Sequence, residues 1–209
     1  DGVRWIWGAT LPTDRERGRR GDSELLVRVC HDGRTWAQDR PDLDGKAGYV
    51  PVIVVNHSSI DPDLTGKRCN FWYFQTEANT AMKMKALANY VKKQPDIKDV
   101  YLFNQDYAHG KQWASYGQEM FTLARPDVKF VGQDFIPIGR VKDFAPYVSK
   151  MKAAGADTLI TGNWGNDLTL LLRAAGEAGV DWRYFNHSAG SFPGTVTAIA
   201  LAKIGRVTW

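Results

Sequence analysis

The sequence is short of the features that mark several protein classes. No run of about 18 apolar residues occurs, which predicts no membrane span. The 209 residues include two cysteines, Cys30 and Cys69, so at most one disulfide can form, and the pair does not decide the redox compartment. The formal net charge is only +4, from 27 basic and 23 acidic side chains, which argues against an obligate nucleic-acid partner.

Motifs of catalysis and metal binding are also missing. The chain contains no G-x-S-x-G, no G-x-x-x-x-G-K-[ST] and no G-x-G-x-x-G after a strand, and its four histidines form neither H-x-x-x-H nor H-E-x-x-H. We therefore expect no catalytic residue, no metal and no cofactor. An α/β enzyme that uses His109 and Asp106 for acid–base chemistry is an alternative, and its support is the polar character of the strand ends.

From Tyr49 onward, apolar runs alternate with amphipathic stretches. Strands are predicted in "YVPVIVVN", "NFWYFQT", "KDVYLFNQ", "DVKFVGQDFIPI", "DTLITG" and "WRYFNHS". Helices are predicted in "ANTAMKMKALANYVKKQ", "GKQWASYGQEMFTLA", "KDFAPYVSKMKAAG" and "NDLTLLLRAAGEAG". Alternation at spacings of about 25 to 30 residues predicts βαβ units and an open parallel sheet covered by helices.

Two helices carry more detailed predictions. The second helix is expected to bury one stripe, made of Trp113, Tyr116, Met120 and Leu123. The third helix is expected to have Asp143 as its N-cap and to end at Gly155.

Four predicted strand ends are polar or aromatic: "NHSS", "NQDYAHG", "TGNWGND" and "NHSAG". Ligands of open parallel sheets bind beyond the carboxyl ends of the strands, so these four segments are the candidate site. Ser58, Ser59, His109 and Ser188 fit either ligand contacts or structural turns. Trp164 fits either a ligand wall or plain packing.

Four segments occur in one order along the chain: "VNHSSIDPDLTGKRC", "NQDYAHGKQ", "FIPIGRVKDFAPYVSKMKAAGADTLITGNWGNDLTLLLRAAGEAGV" and "AGSFPGTVTAIALAKIGRV". Together they resemble the ABC-transporter substrate-binding proteins of the branched-chain amino-acid, or Leu/Ile/Val-binding, family. The resemblance covers about residues 49 to 209. It implies an α/β protein with an incomplete two-lobed periplasmic-binding-protein type 1 fold, in which parallel sheets carry helices on both faces.

The resemblance also implies limits for the lobes. Residues 1–96 are expected to form a partial first lobe, residues 97–190 the second lobe, and residues 191–209 a crossover segment back towards the first lobe. The chain looks like a partial one, whose first lobe would lack at least two strands.

The function implied is that of an extracytoplasmic solute-binding component of an ABC importer, which hands its ligand to a membrane permease. We expect a monomer, periplasmic or anchored as an extracytoplasmic lipoprotein, with an export signal that is not in this chain. The solute would be an amino acid or a related small polar solute, with an amide or an aromatic acid possible, held in an interlobe cleft. A ligand-sensing receptor or regulator ectodomain of the same fold is the alternative.

Site residues follow from the resemblance position by position. The loop that holds the ligand carboxylate falls on Ser58–Ile60, and two aromatic positions of the family fall on His109 and Trp164. The family's acid for the ligand ammonium falls near Ser188, which is no acid, so Asp106 or Asp167 is the expected substitute. The predicted ligand-binding set is Ser58, Ser59, Ile60, Asp106, Tyr107, His109, Asn163, Trp164 and Ser188.

Residues 11–48 depart from the resemblance. Seven of the fourteen arginines lie within residues 11–40, and the stretch shows no sustained apolar period. A solvated basic loop is one interpretation. Our hypothesis is that this stretch is frameshifted or mis-called sequence; re-reading the encoding DNA in its other two frames checks it, because finding no Ala-rich amphipathic helix in either frame would overturn it.

Overall fold

A computed structural model describes residues 4–7, 52–69, 73–201 and 207–208, with the backbone alone for residues 4–7 and 52–53. The chain forms two compact units, residues 1–79 and residues 80–209. Residues 11–48, with Cys30 and the proposed frameshift, lie outside the described residues. Cys69 is an exposed free thiol.

The first unit contains a parallel sheet of three strands in the order β1-β2-β3. These strands are β1 (Arg4–Trp7), β2 (Val52–Asn56) and β3 (Tyr73–Gln75). A 3-10 helix, Pro62–Leu64, follows β2, and the carboxylate of Asp61 accepts the Asp63 amide proton at 3.0 Å where this helix begins. A short polar side chain at this position satisfies an N–H group that the helix leaves unpaired.

The second unit alternates helices and strands from Thr80 onward. Its elements are α1 (Thr80–Val91), β4 (Asp99–Gln105), α2 (Ala108–Ala124), β5 (Lys129–Ile136), α3 (Ala145–Ala153), β6 (Thr158–Ile160), α4 (Gly165–Glu177), β7 (Arg183–Phe185), a 3-10 turn (Ala189–Ser191), α5 (Pro193–Leu201) and β8 (Val207–Thr208). Every strand pairing in this sheet is parallel. The predicted fold class, α/β with parallel sheets and helices, is confirmed.

The strand order of the second sheet is β5-β4-β6-β7-β8. The chain therefore passes from β4 to a neighbour on one side, β5, and then returns across β4 to β6 on its other side. In open parallel sheets such a reversal leaves a crevice at the carboxyl ends of the two strands between which it occurs. The ends of β4 and β6 are therefore the expected ligand position in this unit.

The core of the second unit is built around β4, whose residues from Val100 to Gln105 are all buried. An uninterrupted apolar run suits a central parallel strand, because both of its faces are covered by helices. On one face, the Phe103 ring lies 6.2 Å from the Phe144 ring and 5.3 Å from the Tyr147 ring, both edge-on. Full burial of each such side chain contributes about 1.5–3 kcal/mol to folding.

The predicted buried stripe of α2 is wrong except at Trp113. Leu123 is 72% exposed, and Tyr116 and Met120 are only partly buried. The face that packs inward consists of Gly110, Trp113, Ala114, Gly117 and Phe121. A Cβ added at Gly117 would lie 3.5 Å from Cγ2 of Ile160, an ordinary van der Waals distance, so this face of the helix packs directly against β6.

The predicted N-cap of α3 needs a correction by one residue. Phe144 occupies the N-cap position, although Oδ1 of Asp143 still accepts the N–H of Ala145 at 2.9 Å. The predicted end of the helix is confirmed, because Gly155 has φ 77°, a conformation that side chains with a Cβ rarely adopt.

The two units divide between Asn79 and Thr80, whereas the sequence predicts lobes of residues 1–96 and 97–190. Helix α1 belongs to the second unit because Arg125, after α2, donates hydrogen bonds to the carbonyls of Val91, Gln94 and Ile97 that end and follow α1. Strand β8, within the predicted crossover segment of residues 191–209, pairs with β7 of the second unit. The lobe limits stay a prediction. None of the helices in the described ranges has the length and apolar character needed to cross a membrane.

Candidate functional site

A hydrogen bond between two aromatic side chains joins the carboxyl ends of β4 and β6. Nε1 of Trp164 donates to the hydroxyl oxygen of Tyr107 at 2.9 Å. Trp164 also stacks on Phe192, with ring centroids 6.4 Å apart and an interplanar angle of 27°. Trp164 and Phe192 remain 41% and 37% exposed. Tyr107, Trp164 and Phe192, called the aromatic rim below, thus offer a flat apolar surface at the strand ends.

Burial raises the pKa of Tyr107, and the bond from Trp164 opposes this rise. The phenol is therefore protonated at neutral pH. Its oxygen accepts from Trp164 while its own proton stays available, so it can donate to a ligand.

Two glycines hold this part of the backbone in place. A Cβ on Gly162 would lie 2.9 Å from Cγ of Trp113 and 3.2 Å from Oδ1 of Asn104. A Cβ on Gly110 would lie 1.9 Å from the carbonyl oxygen of Gln105. Both contacts are too short for any side chain, so the sequence needs glycine where α2 and the β6 exit approach β4.

Three rings pack together beside the rim. The His109 ring lies 4.7 Å from that of His187 and 5.7 Å from that of Trp113, and the His187 and Trp113 rings are 4.9 Å apart. The His109 ring is also 5.6 Å from Tyr107 of the rim. Trp113 is fully buried, while His109 and His187 are partly buried.

Both histidines are neutral at neutral pH. Burial lowers the pKa of His109 to about 4, against an opposing hydrogen bond with the Gly162 backbone and with a further lowering by the charge of Lys83. Burial lowers the pKa of His187 to about 3, helped by repulsion from His109 and Lys83. A neutral imidazole offers one donor and one acceptor nitrogen.

Asparagine side chains fix the exit of β6. Oδ1 of Asn104 accepts the N–H of Gly162 at 2.6 Å. Nδ2 of Asn186 donates to the carbonyls of Thr161 and Asn163 at 2.7 and 2.8 Å. These bonds tie β4, β6 and β7 together beyond the end of the regular ladder, so the following Trp164 is held by three strands.

Polar atoms without partners gather at the same place. The buried side-chain atoms without a hydrogen-bond partner in the described part of the chain include Asn104 Nδ2, His109 Nε2, Trp113 Nε1, Asn163 Nδ2, Asn163 Oδ1 and His187 Nδ1. Asn104, Trp113 and Asn163 have no exposed surface. An unpaired buried polar group costs about 1–3 kcal/mol, and most native proteins contain few of them. Asn104, His109, Trp113, Asn163 and His187 are called the buried polar cluster below.

The two acids expected to replace the family's carboxylate are both engaged. Asp106 is exposed and pairs with Lys111 at 3.0 Å. Oδ2 of the buried Asp167 accepts from Nε2 of Gln105 at 2.7 Å and from the N–H of Gly139 at 2.9 Å, while its Oδ1 has no partner among the residues described. Across the described ranges, no group of three or more His, Cys, Asp or Glu side chains could hold a metal ion.

The predicted serines differ in their surroundings. Ser188 is buried, and its N–H and hydroxyl both donate to Oδ1 of Asn186, at 2.7 and 3.3 Å. In the first unit, Ser58 and Ser59 are exposed and Ile60 is buried. Oδ1 of Asn56 accepts the N–H groups of Ser58 and Ser59 at 3.1 and 2.9 Å, so their hydroxyls are the groups left to face solvent.

The structure thus brings together part of the predicted set. Tyr107, His109, Asn163 and Trp164 meet at the ends of β4 and β6, with Ser188 close by through Asn186. Sequence reasoning missed Asn104, Trp113 and His187. For two of them the sequence offers a sign, because His187 lies in "NHSAG" and Asn104 opens "NQDYAHG", both of which are predicted strand ends. Trp113 lies in neither segment.

An open parallel sheet with an aromatic and polar rim at its strand reversal defines a ligand-binding α/β protein. Residues 46–209 match the family model described as periplasmic binding protein, and the chain belongs to that family. This family comprises solute-binding proteins and not enzymes. The prediction that the chain is a solute-binding module and not an enzyme is therefore confirmed.

Individual relatives support the same family. Leu/Ile/Val-binding protein homolog 4 of Brucella abortus (strain 2308) is 32% identical over 139 residues, which cover 64% of this chain and 32% of the relative. A leucine-, isoleucine-, valine-, threonine- and alanine-binding protein from Brucella ovis, in a closed conformation, has a TM-score of 0.63 at 25% identity, covering 81% of this chain and 43% of that one. The chain thus spans about a third of the length of the curated relatives it matches.

A solute-binding protein of an ABC transporter from R. palustris, in complex with 4-hydroxybenzoate, shares the fold. Its TM-score is 0.59 at 19% identity, and the match covers 76% of this chain and 43% of that one. At this identity the likeness concerns the fold alone. The resemblance to the Leu/Ile/Val-binding family and to the periplasmic-binding-protein type 1 fold is confirmed.

Proposed function

We propose that the protein is the periplasmic solute-binding component of an ABC importer, and that a small solute binds at the carboxyl ends of β4 and β6. The observation that carries the proposal is the hydrogen bond from Trp164 to Tyr107, which joins the two strand ends where the order of the sheet reverses. Membership of a family of solute-binding proteins supports the same function.

The proposed solute is an amino acid or a related small polar molecule, with an amide or an aromatic acid included. The Brucella ovis protein is named as binding leucine, isoleucine, valine, threonine and alanine, the Brucella abortus relative is named a Leu/Ile/Val-binding protein homolog, and the R. palustris protein is in complex with 4-hydroxybenzoate. The stacked pair of Trp164 and Phe192 suits a solute with a flat or apolar part. The solute is then passed to a membrane permease by a monomeric binding protein. The roles of Ser58, Ser59 and Ile60 stay predictions from the sequence.

Thermal-shift screening of the full chain against amino acids, amides and aromatic acids tests the proposal. A solute that binds only the folded state stabilises it by RT ln(1 + [L]/Kd), about 2.7 kcal/mol at a concentration 100 times Kd. At least one compound should raise Tm, and Trp164→Ala should abolish that rise. Leu123→Ala is the matched control, because it also removes an exposed apolar side chain but lies on α2 away from the rim.

Two results would contradict the proposal. One is the absence of any Tm shift across the panel with the unchanged protein. The other is a shift that survives Trp164→Ala in full, because the aromatic rim would then not contact the solute.

A further inference from the structure

The buried polar cluster adjoins the aromatic rim. The His109 ring lies 5.6 Å from Tyr107 of the rim, and Asn163 directly precedes Trp164. Four members are linked by contacts, since Asn104 bonds Gly162, Gly162 contacts Trp113 and His109, and the rings of both pack on His187. The fifth member, Asn163, directly follows Gly162 in the chain. The cluster thus adjoins the Gly162 backbone, two residues before Trp164 of the rim.

Their unpaired atoms include both donors and acceptors. Nε1 of Trp113 and Nδ2 of Asn104 can only donate, Oδ1 of Asn163 can only accept, and Nδ2 of Asn163 adds another donor. Each histidine contributes one further nitrogen. Within the described ranges these atoms have no protein partner, although Asn104, Trp113 and Asn163 are fully buried. Such a set is matched by a bound group that donates and accepts at once.

The cluster also lacks a charge of its own. Its asparagine and tryptophan side chains are neutral, and both histidines are neutral at neutral pH. The neighbouring Asp106 is paired with Lys111. Asp167, which is outside the cluster, accepts from Gln105 and Gly139 through Oδ2, and its Oδ1 has no partner among the residues described. An ammonium or a carboxylate would thus be desolvated in this cluster without a counter-ion inside it, which is strongly unfavourable. Lys83 acts on both histidines through its charge, so a carboxylate belongs among the probes.

We infer that the solute carries a neutral polar group, a carboxamide or a hydroxyl, which is bound by the buried polar cluster with Asn163 as its main partner. This inference rests on the proposed function and narrows its solute class. Sites built to hydrogen-bond a substrate group discriminate strongly against analogues that lack it, because their own polar atoms are then left unpaired. A purely aliphatic side chain would leave this cluster unpaired.

Titration calorimetry of the full chain with matched solutes tests the inference. Leucine, asparagine and aspartate have side chains of similar size that are apolar, neutral polar and charged. Phenylalanine with tyrosine, and benzoate with 4-hydroxybenzoate, differ by one hydroxyl. In every series in which binding is measurable, the neutral polar member should bind at least about tenfold more tightly than its apolar or charged counterpart.

The variant Asn163→Leu supplies a second readout that needs no solute. If the Asn163 amide is unpaired until the solute binds, replacing it by an apolar side chain of similar size should leave the Tm of the solute-free protein unchanged or raise it. The same change should remove the preference for the neutral polar member. Asn89→Leu, at an exposed position on α1, is the matched control and should alter neither quantity.

Each outcome has a distinct meaning. Binding with an apolar or a charged member as tight as the neutral polar one overturns the inference and leaves the proposed function standing. A fall of several degrees in the solute-free Tm of Asn163→Leu also overturns it, because the amide would then be satisfied by the protein or by an internal water. No binding by any member of the three series overturns both the inference and the solute class proposed above.

Discussion

Single glycines set how closely the backbone approaches its neighbours at the ends of β4 and β6. Gly110 lies in the first turn of α2, and Gly162 lies in the segment between β6 and α4. At Gly110 the obstacle to a Cβ is a backbone oxygen, which cannot turn aside as a side chain can. The position of the aromatic rim therefore depends on Gly110 and Gly162, which have no side chain that could contact a solute.

Gly110→Ala should destabilise the second unit severely. The new Cβ would lie 1.9 Å from the Gln105 carbonyl oxygen, and overpacking typically costs about 1–3 kcal/mol, with a backbone obstacle placing this site at the upper end. Chemical denaturation would measure the loss. Gly194→Ala is the control, because it also falls early in a helix but has no neighbour within 4 Å of the added Cβ, so it should be neutral or slightly stabilising. Equal stability of the two variants would contradict the packing described at the β4 exit.

The histidine pair makes the stability of the second unit depend on pH. In the unfolded chain a histidine titrates near 6.5, whereas the folded pKa values are about 4 for His109 and about 3 for His187. The unfolded state therefore binds more protons between these values and 6.5, so stability falls as the pH drops through this window. The loss should reach about 1–3 kcal/mol for each ring, since both residues are only partly buried.

Thermal unfolding at a series of pH values between 7 and 4 measures this dependence. The variant His187→Gln should show a shallower fall in Tm, because one of the two buried bases is gone. His57→Gln, which changes an exposed histidine of the first unit, should leave the slope as it is. A slope unchanged by His187→Gln would mean that the ring is not held neutral by its surroundings.

Part of the site could be predicted at the residue scale. Tyr107, His109, Asn163 and Trp164 follow apolar strands in the sequence, and the carboxyl ends of parallel strands lie along one edge. Trp113 was assigned to the core of α2, and the sequence gives no reason why its indole nitrogen should lack a partner. Whether a buried polar atom is paired depends on its distances to atoms of other strands. The spacing of residues along the sequence does not give these distances.

At the scale of elements, the two edges of the second sheet have different chemistry. At the amino edge, Oδ2 of Asp157 accepts the N–H groups of Lys98 and Asp99, both at 2.9 Å, and its Oδ1 accepts the Thr158 hydroxyl at 2.7 Å. That carboxylate is fully engaged in joining the starts of β4 and β6. The carboxyl edge of the same two strands carries the unpaired atoms and the exposed aromatic rim.

Asp157→Ala should therefore lower stability without changing solute affinity. Two backbone N–H groups lose a charged acceptor, and hydrogen bonds to charged groups contribute about 1.5–3 kcal/mol each, part of which water at this partly exposed site would replace. A loss of about 2 kcal/mol in the free energy of unfolding is expected, with a smaller loss for Asp157→Asn, which keeps one acceptor oxygen. Trp164→Ala should instead lower solute affinity and leave the free energy of unfolding nearly unchanged. A large change in affinity from Asp157→Ala would contradict the division between the two edges.

The elements themselves were largely predictable, but their arrangement was not. All four predicted helices and all six predicted strands are present, usually shorter by a few residues at either end. The stripe of α2 was missed because large apolar residues were counted, whereas the buried face also contains Gly110, Ala114 and Gly117, and at Gly110 only glycine fits. The order β5-β4-β6-β7-β8 depends on which strands pair, and the alternation of elements is compatible with several orders.

At the scale of the molecule, the chain consists of two compact units, each with its own parallel sheet. The second unit holds the five-stranded sheet, the aromatic rim and the buried polar cluster. Exposed aromatic side chains and unpaired polar atoms are both unfavourable in a protein that binds nothing. Both features occur at the carboxyl ends of β4 and β6, where the strand order reverses. We therefore propose the solute site at these strand ends.

Hydrogen exchange shows at which end of the second sheet the solute binds. Amide exchange of the full chain would be followed by mass spectrometry with and without the solute found in the thermal-shift screen. The account predicts added protection in residues 106–110 and 162–166, which follow β4 and β6, and no change at Lys98 and Asp99 on the opposite edge. Protection confined to that opposite edge, or to the outer faces of the helices, would contradict it.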